Sequence, residues 1–395
     1  MRIAIFTPFL YPFHVDMLLY LRKVTEAELF TCGTYGNYPF EDLLKFAKRL
    51  SCHRVLGGER VLGVRGLIKF LRFKPNVVVL FGIESLAGIT IYLTSTLIRS
   101  KIIAIVEENY VAIPTNPIIE ILRKLKEGII RLMYRHAPIL VAESKASREY
   151  VLEVLQVRRA KPVLVRVHGI DVKRYMKLDS ISVEQAKGLV VKSLKLPEDV
   201  VSKKWCTFIG ELSYCKGADV LIDAIDILAK IAEPTVKDLV FLLPNNTRLL
   251  RDKIELKEYY KQKLVRLVAS GLVVLYNSLK HNEIPLLYRA SDVIVLPSRL
   301  LKYASSDRSP NVALEALASG NILVASYVGG IPTIVNNAGL LVKPNDPQAL
   351  ANKLREVLNN YSRYEHLRVK ARERALNELD VGHYIRALLS YLKHS

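Results

Sequence analysis

Short apolar runs alternate with helical patterns from the first residue of this chain of 395 residues. Continuous apolar runs suit strands that are buried on both faces, and the helical segments between them suit the crossovers of a parallel sheet. The alternation therefore predicts an α/β protein built from βαβ units. The predicted strands are 2–7, 77–81, 102–106, 139–142, 163–167, 206–209, 239–243, 273–276, 293–296 and 322–325, with a hairpin-like stretch at 339–342.

The strand pattern is interrupted once, between Lys177 and Lys204, where Lys, Ser and Pro197 replace the apolar runs. The interruption predicts two α/β domains joined by a linker, and the length fits two domains of ordinary size. Two such domains facing each other would bind ligands in a cleft, at the carboxyl ends of their strands. The predicted segments are a first domain at 1–177, a linker at 178–204, a second domain at 205–375, and a final helix at 376–395 that packs back on the first domain.

Basic residues outnumber acidic ones, 58 to 38, which gives a formal net charge of +20. Much of the excess lies between Asp42 and Glu107, where Glu59 and Glu84 are the only acids. This region is either a solvated basic face or a surface that contacts an anionic membrane or an anionic acceptor. Nucleic acid is not an expected partner, because the basic residues are not interleaved with aromatic residues on any recognisable module.

The amino-terminal residues run straight into Pro8 and Pro12 without the apolar region of a signal peptide. Segment 77–98 is long enough to cross a bilayer but carries Glu84, so we interpret it as a buried strand, a turn at Gly82 and a helix. A cytoplasmic protein with reduced thiols is expected, because no pair of its cysteines has a metal-ligand or C-x-x-C spacing. These cysteines are Cys32, Cys52, Cys206 and Cys215.

A helix start with an anion-binding character follows the predicted strand at 293–296. Pro310 suits the first position of a helix, and Ser309 suits its N-cap. The first three amides of this helix would point outward and form an anion site suited to a diphosphate. These amides belong to Asn311, Val312 and Ala313.

Glu315 lies one to two turns into the same helix, where its carboxylate can accept hydrogen bonds from a ribose diol. Asp307 and Glu315 are separated by seven residues, and the segment resembles the E-x7-E motif of the retaining GT-B glycosyltransferases, closest to glycosyltransferase family 4. The similarity continues through Val328-Gly329-Gly330-Ile331-Pro332 and Gly339-Leu340-Leu341-Val342. Upstream, Gly210 to Gly217 resembles the G-R-L-x-x-x-K-G loop of that family.

The resemblance implies a GT-B fold, with two Rossmann-like domains facing each other across a cleft. It also implies a retaining transferase that moves a hexose-type sugar from a nucleotide-diphosphate sugar, bound by the second domain, to a glycan or lipid-linked acceptor. Neither a metal nor a cofactor is expected. In the family pattern Asp307 orients the donor sugar, Glu315 binds the ribose, and Lys216 neutralises the diphosphate. Further contacts to the donor are expected from Gly210, Arg308, Ser309, Asn311, Val312 and Ala313.

Two departures from the family pattern bear on activity. Asp307 is one methylene shorter than the usual Glu, and Glu211 stands where an Arg beside the diphosphate is expected. Arg308 is the candidate cation that compensates for Glu211. The alternatives to a nucleotide-sugar transferase are therefore an inactive relative that binds a glycan or a protein, and a transferase that uses phosphate or a sugar phosphate. An active enzyme is expected in the cytoplasm or at the inner face of the membrane.

Other polar residues follow predicted strands in the first domain. His14 comes after the first strand, where it is either a ligand of the cleft or a residue that caps and packs a helix. Glu107 and Glu108 end a strand and either contact a substrate or make structural hydrogen bonds. His168 is interpreted as a residue of the junction between the domains.

Overall fold

The computed structural model describes residues 1–33, 41–54, 60–106, 117–157, 163–231, 238–245, 254–277, 279–300 and 309–393. Glu107 and Glu108 lie outside the described residues. The described chain divides into two compact units, and the boundary lies between Asp171 and Val172 rather than at residue 177. The first unit comprises 1–171 and 379–393, and the second comprises 172–300 and 309–378, each within the described residues.

The first unit is built on a parallel sheet. Its strands are β1 (Arg2–Thr7), β2 (Glu26–Thr31), β3 (Lys48–Arg49), β4 (Cys52–Arg54), β5 (Arg60–Leu62), β6 (Val77–Leu80), β7 (Lys101–Val106), β8 (Ile139–Ala142) and β9 (Leu164–Val165). Among the described residues the order across this sheet is β3-β2-β1-β6-β7-β8-β9, with every pair parallel. Strands β4 and β5 form a separate antiparallel pair.

The second unit contains its own parallel sheet. Its strands are β10 (Lys204–Thr207), β11 (Leu239–Pro244), β12 (Val273–Tyr276), β13 (Val293–Leu296), β14 (Ile322–Ser326) and β15 (Leu340–Val342). In the part of the unit that is described, the order is β12-β11-β10-β13-β14-β15. The prediction of a hairpin at 339–342 is wrong, because β15 pairs in parallel with β14.

Helices connect the strands in both units. In chain order they are α1 (Pro12–Leu21), α2 (Val64–Phe73), α3 (Leu86–Leu97), α4 (Pro117–His136), α5 (Lys145–Glu149), α6 (Val172–Met176), α7 (Val183–Leu194), α8 (Ala218–Ala229), α9 (Ile254–Ala269), α10 (Ile284–Ala290), α11 (Asn311–Ala318), α12 (Ile331–Val335), α13 (Pro347–Asn359), α14 (Tyr361–Tyr364), α15 (His366–Arg374) and α16 (Val381–Tyr391). Helices α2, α3 and α4 share one core, in which Phe70, Tyr92 and Tyr134 are buried together.

The linker predicted at 178–204 contains α7, which belongs to the second unit. Ala186 and Val190 of α7 are buried against Trp205, the first of the buried residues of β10. Because this apolar face packs into the core, the segment is part of a domain and not a connection between domains. Lys192 and Ser193 lie on the outer side of the helix, whereas Lys187 is buried and donates to the Asp292 carboxylate at 2.8 Å.

Helix α16 lies in the first unit, where it packs on α1. Its Ile385 and Leu388 line a small apolar cavity together with Met17. The guanidinium of Arg386 donates to the Tyr20 hydroxyl at 2.8 Å. Apolar and polar contacts therefore both hold α16 against α1.

The segment 77–98 forms a strand, a turn and a helix, as predicted. Gly82 makes the turn with a φ of +62°. A Cβ atom at Gly88 would lie only 2.1 Å from the Gly82 carbonyl oxygen, so a glycine is needed where α3 approaches the turn. Across the described residues, none of the helices is both long enough and apolar enough to span a membrane.

Cys32 and Cys52 form a disulfide, with their Cα atoms 5.8 Å apart. This pairing contradicts the prediction that the thiols are reduced. The two residues are 20 positions apart and match no motif, but the Leu50 amide donates to the Thr31 carbonyl oxygen at 2.8 Å, which brings the two segments together. Cys206 and Cys215 take part in no disulfide, and burial raises the pKa of the Cys206 thiol.

Candidate functional site

In the second unit, the order in which the chain adds strands to the sheet reverses between β10 and β13. From β10 the chain proceeds to β11 and β12 on one side, whereas β13 leads to β14 and β15 on the other. Strands β10 and β13 are neighbours, with Cys206 opposite Val293. Parallel α/β sheets bind ligands at such a switch point, outside the carboxyl ends of the strands. The segments that leave β10 and β13 at this edge are therefore where the site is expected.

The loop that leaves β10 packs directly on the end of β13. Gly217, which opens α8, has a φ of +71°, and a Cβ atom there would lie 1.9 Å from the Pro297 carbonyl oxygen. The Arg299 amide also donates to the Cys215 carbonyl oxygen at 3.0 Å. Two contacts therefore fix the loop against the segment after β13. They place Lys216, which is half-buried, at the switch point.

Gly210 and Glu211 begin this loop. Gly210 is exposed with a φ of +128°, a conformation that side chains rarely adopt. Glu211 is half-buried, and its carbonyl oxygen accepts the Ser213 amide at 2.8 Å. The Ser213 carbonyl oxygen in turn accepts the Lys216 amide at 3.1 Å. The loop is thus a series of tight turns that carries the acidic residue and the cation on the same short segment.

Arg299, which follows β13, is a second cation at the switch point, and no sequence motif indicated it. Its guanidinium lies 4.2 Å from the centre of the Tyr214 ring and donates twice to the Asp219 carboxylate, once from Nε at 3.1 Å. Burial lowers the pKa of Arg299, but the bonds to Asp219 outweigh it and the pKa is raised overall. Arg299 therefore links the loop to the first turn of α8. The compensating cation proposed from sequence, Arg308, lies outside the described residues, as Asp307 does.

Glu315 lies in the second turn of α11 and is 7 % exposed. Its Oε2 accepts the Tyr288 hydroxyl at 2.8 Å. Burial, and then the Glu315 charge, raise the pKa of Tyr288 well above its usual value, so the tyrosine stays protonated as a donor. The Asn321 side chain donates to the Tyr288 carbonyl oxygen at 2.8 Å, and the Tyr175 ring meets the Tyr288 ring edge-on. The carboxylate is thus held in one orientation.

The start of α11 differs from the prediction by one residue. Pro310 is the N-cap and the helix begins at Asn311, so Ser309 does not cap it. The Ser309 hydroxyl is buried and makes no hydrogen bond within the described part of the chain. The Ala313 amide donates to the Pro310 carbonyl oxygen at 3.0 Å and is not directed outward. The predicted anion site at the helix start is therefore reduced to Asn311 and Val312.

The first unit has its own switch point, between β1 and β6, and His14 lies there. Its Nδ1 accepts the Tyr11 amide at 3.1 Å, which is the capping role foreseen as one of two possibilities. The ring is fully buried between Phe13 and Phe81, and no described residue bonds its Nε2. Burial, and then the neighbouring His168, hold the pKa of His14 well below 6.5.

Acid is expected to destabilise the first unit through His14. Unfolded His14 titrates near 6.5 and folded His14 at lower pH, so between these values the unfolded chain binds more protons. Stability is present above pH 6.5 and should fall as pH falls, by about 1.4 kcal/mol per pH unit. Urea unfolding at pH 7 and pH 5 measures this loss, and His14→Asn, which keeps an acceptor for the Tyr11 amide, should reduce it. An equal loss in both proteins would contradict the assignment.

Residues 203–360 match the family model described as glycosyl transferases group 1. This range contains the loop at Lys216, the switch point of the second sheet and α11. A D-inositol 3-phosphate glycosyltransferase of Corynebacterium urealyticum is 28% identical over 57% of this chain and 49% of its own length. An uncharacterised glycosyltransferase of Methanocaldococcus jannaschii is 28% identical over 42% of this chain and 38% of its own. The matched region thus spans less than half the length of these relatives.

Two solved structures show the fold. The structure of Anabaena HepE in complex with UDP-glucose aligns with a TM-score of 0.74 over 100% of both chains, at 18% sequence identity. WaaG, a glycosyltransferase involved in lipopolysaccharide biosynthesis, aligns with a TM-score of 0.61 over 96% of both chains, at 13% identity. The predicted fold of two Rossmann-like α/β domains is therefore confirmed. Residues 203–360 are therefore similar to the glycosyl transferases group 1, and the chain shares the fold of the GT-B glycosyltransferases.

Proposed function

We propose that this protein is a retaining glycosyltransferase that moves a hexose-type sugar from a nucleotide-diphosphate sugar to an acceptor. The observation that carries the proposal is the arrangement at the switch point of the second sheet. There the fixed loop with Lys216 and the helix with Glu315 leave neighbouring strands at the same edge. A cation for a diphosphate and an oriented carboxylate for a diol are the two groups that a nucleotide-sugar requires.

Glu315 would bind the ribose of the donor. Its carboxylate is an acceptor-only group, and Tyr288 holds it in place from one side. A buried carboxylate gains from bonds to two neighbouring hydroxyls, because hydrogen bonds to charged groups contribute about 1.5–3 kcal/mol each. HepE, whose fold this chain shares, has been solved with UDP and with UDP-glucose. A nucleotide-sugar donor at this place is consistent with that likeness.

Departure of the nucleoside diphosphate would be stabilised by fixed charges and dipoles, without a metal. Lys216 would neutralise the diphosphate, and the amides of Asn311 and Val312 at the start of α11 would contact its oxygens. Asp307, with the neighbouring backbone, would orient the hexose. Arg308 would compensate for Glu211, and Arg299 would act indirectly by holding the loop through Tyr214 and Asp219.

The first unit would supply the acceptor side, with a glycan or a lipid-linked saccharide as the acceptor. The switch point of its sheet, between β1 and β6 and near His14, corresponds to the switch point of the second sheet. The net charge of +20 favours an anionic membrane surface as a partner, which would place the enzyme at the inner face of the membrane, on the cytoplasmic side.

A nucleotide-binding screen tests the proposal. The purified protein is titrated with UDP, GDP, ADP and their sugar conjugates, by calorimetry and by thermal unfolding. We expect one nucleotide family to raise the unfolding temperature, since a ligand at 100 times its Kd stabilises the native state by about 2.7 kcal/mol. Glu315→Gln should remove most of this response, because the neutral amide keeps the Tyr288 bond but loses the charge.

Glu373→Gln is the matched control, because Glu373 is exposed on α15. It should respond to nucleotide as the unchanged protein does. No binding of any nucleotide to protein that is shown to be folded would reject the proposal. Stabilisation by inorganic phosphate alone would favour the transferase that uses a sugar phosphate.

A further inference from the structure

Helix α4 exposes an apolar ridge on its outer side. The ridge consists of Ile121, Leu125, Ile129 and Leu132, which are 60%, 62%, 47% and 59% exposed. Their spacing of four, four and three residues places them on one stripe about 80° wide. The opposite side of the helix buries Ile130, Met133 and Tyr134 in the core of the first unit. A helix that already has a buried face does not need this second apolar stripe in order to fold.

The neighbouring helices extend the same outer surface. Helix α3 lies beside α4, since the Tyr92 hydroxyl donates to the Met133 carbonyl oxygen at 3.2 Å. Its last turns expose Leu93 and Leu97, four residues apart. Helix α2, which shares the core with α3 and α4, exposes Val64 and Ile68 with the same spacing. Large side chains are therefore exposed in the same pattern on three helices that pack on one core.

Basic residues accompany the exposed apolar side chains. On α4 the exposed cations Lys124, Arg131 and Arg135 lie on one side of the ridge. On α2 the exposed cations Arg65, Lys69 and Arg72 alternate with Val64 and Ile68. In sequence, α2, α3 and α4 together contain eight Lys and Arg residues and two acids. The basic residues are Arg65, Lys69, Arg72, Arg123, Lys124, Lys126, Arg131 and Arg135, and the acids are Glu120 and Glu127.

We propose that the outer faces of α2, α3 and α4 dock this protein on an anionic lipid bilayer. The α4 ridge inserts at the boundary between headgroups and acyl chains, and the flanking Lys and Arg side chains contact the anionic headgroups. Helices that lie in the plane of a membrane have this division into an apolar and a basic face. The choice of a membrane as partner rests on the proposed function, whereas the choice of surface rests on exposure and charge alone.

Charge distinguishes a bilayer from a second copy of this chain as the occupant. A symmetric dimer through these helices would bring two basic surfaces together, and like charges facing each other oppose association. An anionic membrane has the complementary sign and attracts each Lys or Arg near its surface. The exposed apolar residues and the cations then act together, as they do in interfacial helices.

Flotation with vesicles tests this docking surface, without any nucleotide present. The full chain is mixed with vesicles of phosphatidylcholine alone, or with one third phosphatidylglycerol. We expect it to float only with the anionic vesicles. The variant Leu125→Gln/Ile129→Gln should lower the partition coefficient at least tenfold, because it removes apolar contacts with the acyl region. The control Leu189→Gln/Val369→Gln changes two equally exposed apolar residues of the second unit and should float unchanged.

Insertion of the ridge gives a second readout that does not depend on the loss of a contact. Leu125→Trp should show a blue-shifted emission on anionic vesicles and be quenched by brominated acyl chains, whereas Leu189→Trp should not. Failure to float would overturn the proposal, as would equal flotation of the Leu125→Gln/Ile129→Gln variant. A dimer that this variant dissociates, with no binding to vesicles, would assign the surface to a second copy. No nucleotide-sugar is present in these experiments, so their results do not depend on the outcome of the nucleotide-binding screen.

Discussion

A Lys216→Ala variant is expected to lose about 10²–10³-fold in kcat for sugar transfer, with a smaller change in the KM for the donor. Negative charge on the diphosphate increases as the bond to the sugar breaks, so a fixed cation stabilises the transition state more than the bound substrate. Removal of one preorganised group that stabilises such a charge typically costs this much in rate. The measurement is steady-state transfer with the nucleotide-sugar that the binding screen identifies.

The matched control for this variant is Lys343→Ala. The Lys343 side chain is 77% exposed, and its Nζ lies 3.7 Å from the Asp346 carboxylate. It should retain the kcat of the unchanged protein. Lys216→Arg keeps the positive charge and should recover part of the rate. A kcat that is the same in Lys216→Ala and in the unchanged protein would show that another cation neutralises the diphosphate.

The sequence predicted the strands best where they are buried on both faces. Strands β8 and β13 are buried along their whole length and have the predicted bounds, 139–142 and 293–296. Strand β2 was missed because Glu26 and Glu28 interrupt its apolar residues, although it pairs with β1 along its whole length. Its position depends on the neighbouring strand rather than on its own composition. Hydrophobic runs therefore revealed the buried strands but not the one with acidic side chains.

The sequence also identified the loop and the helix of the candidate site, but not the residues that orient them. Lys216 and Glu315 stand within local motifs with fixed spacing. Tyr288 is 27 residues from Glu315, and Arg299 is 80 residues from Asp219. No short pattern connects such distant positions, because their contacts exist only once the strands are ordered in the sheet. The resemblance to a family indicated the candidate residues, whereas their partners depend on how the chain packs.

The smallest change with a large expected effect is Gly217→Ala. An alanine at φ +71° is strained, and its Cβ atom would lie 1.9 Å from the Pro297 carbonyl oxygen. Backbone on both sides of this contact would have to move apart, so the loop would separate from the end of β13. We expect the second unit to lose at least about 3 kcal/mol of stability. Nucleotide binding should weaken as well, because Lys216 precedes this glycine.

Gly188→Ala is the control for this substitution. Gly188 lies within α7, no atom lies within 4 Å of a Cβ placed there, and alanine favours a helix over glycine. This variant should be as stable as the unchanged protein or slightly more so. Thermal unfolding and nucleotide titration of both variants give the comparison. If Gly217→Ala kept both its stability and its nucleotide affinity, the contact between the loop and β13 would not be what positions Lys216. The remaining restraint on the loop would be Arg299, through its contact with the Tyr214 ring and its hydrogen bonds to Asp219.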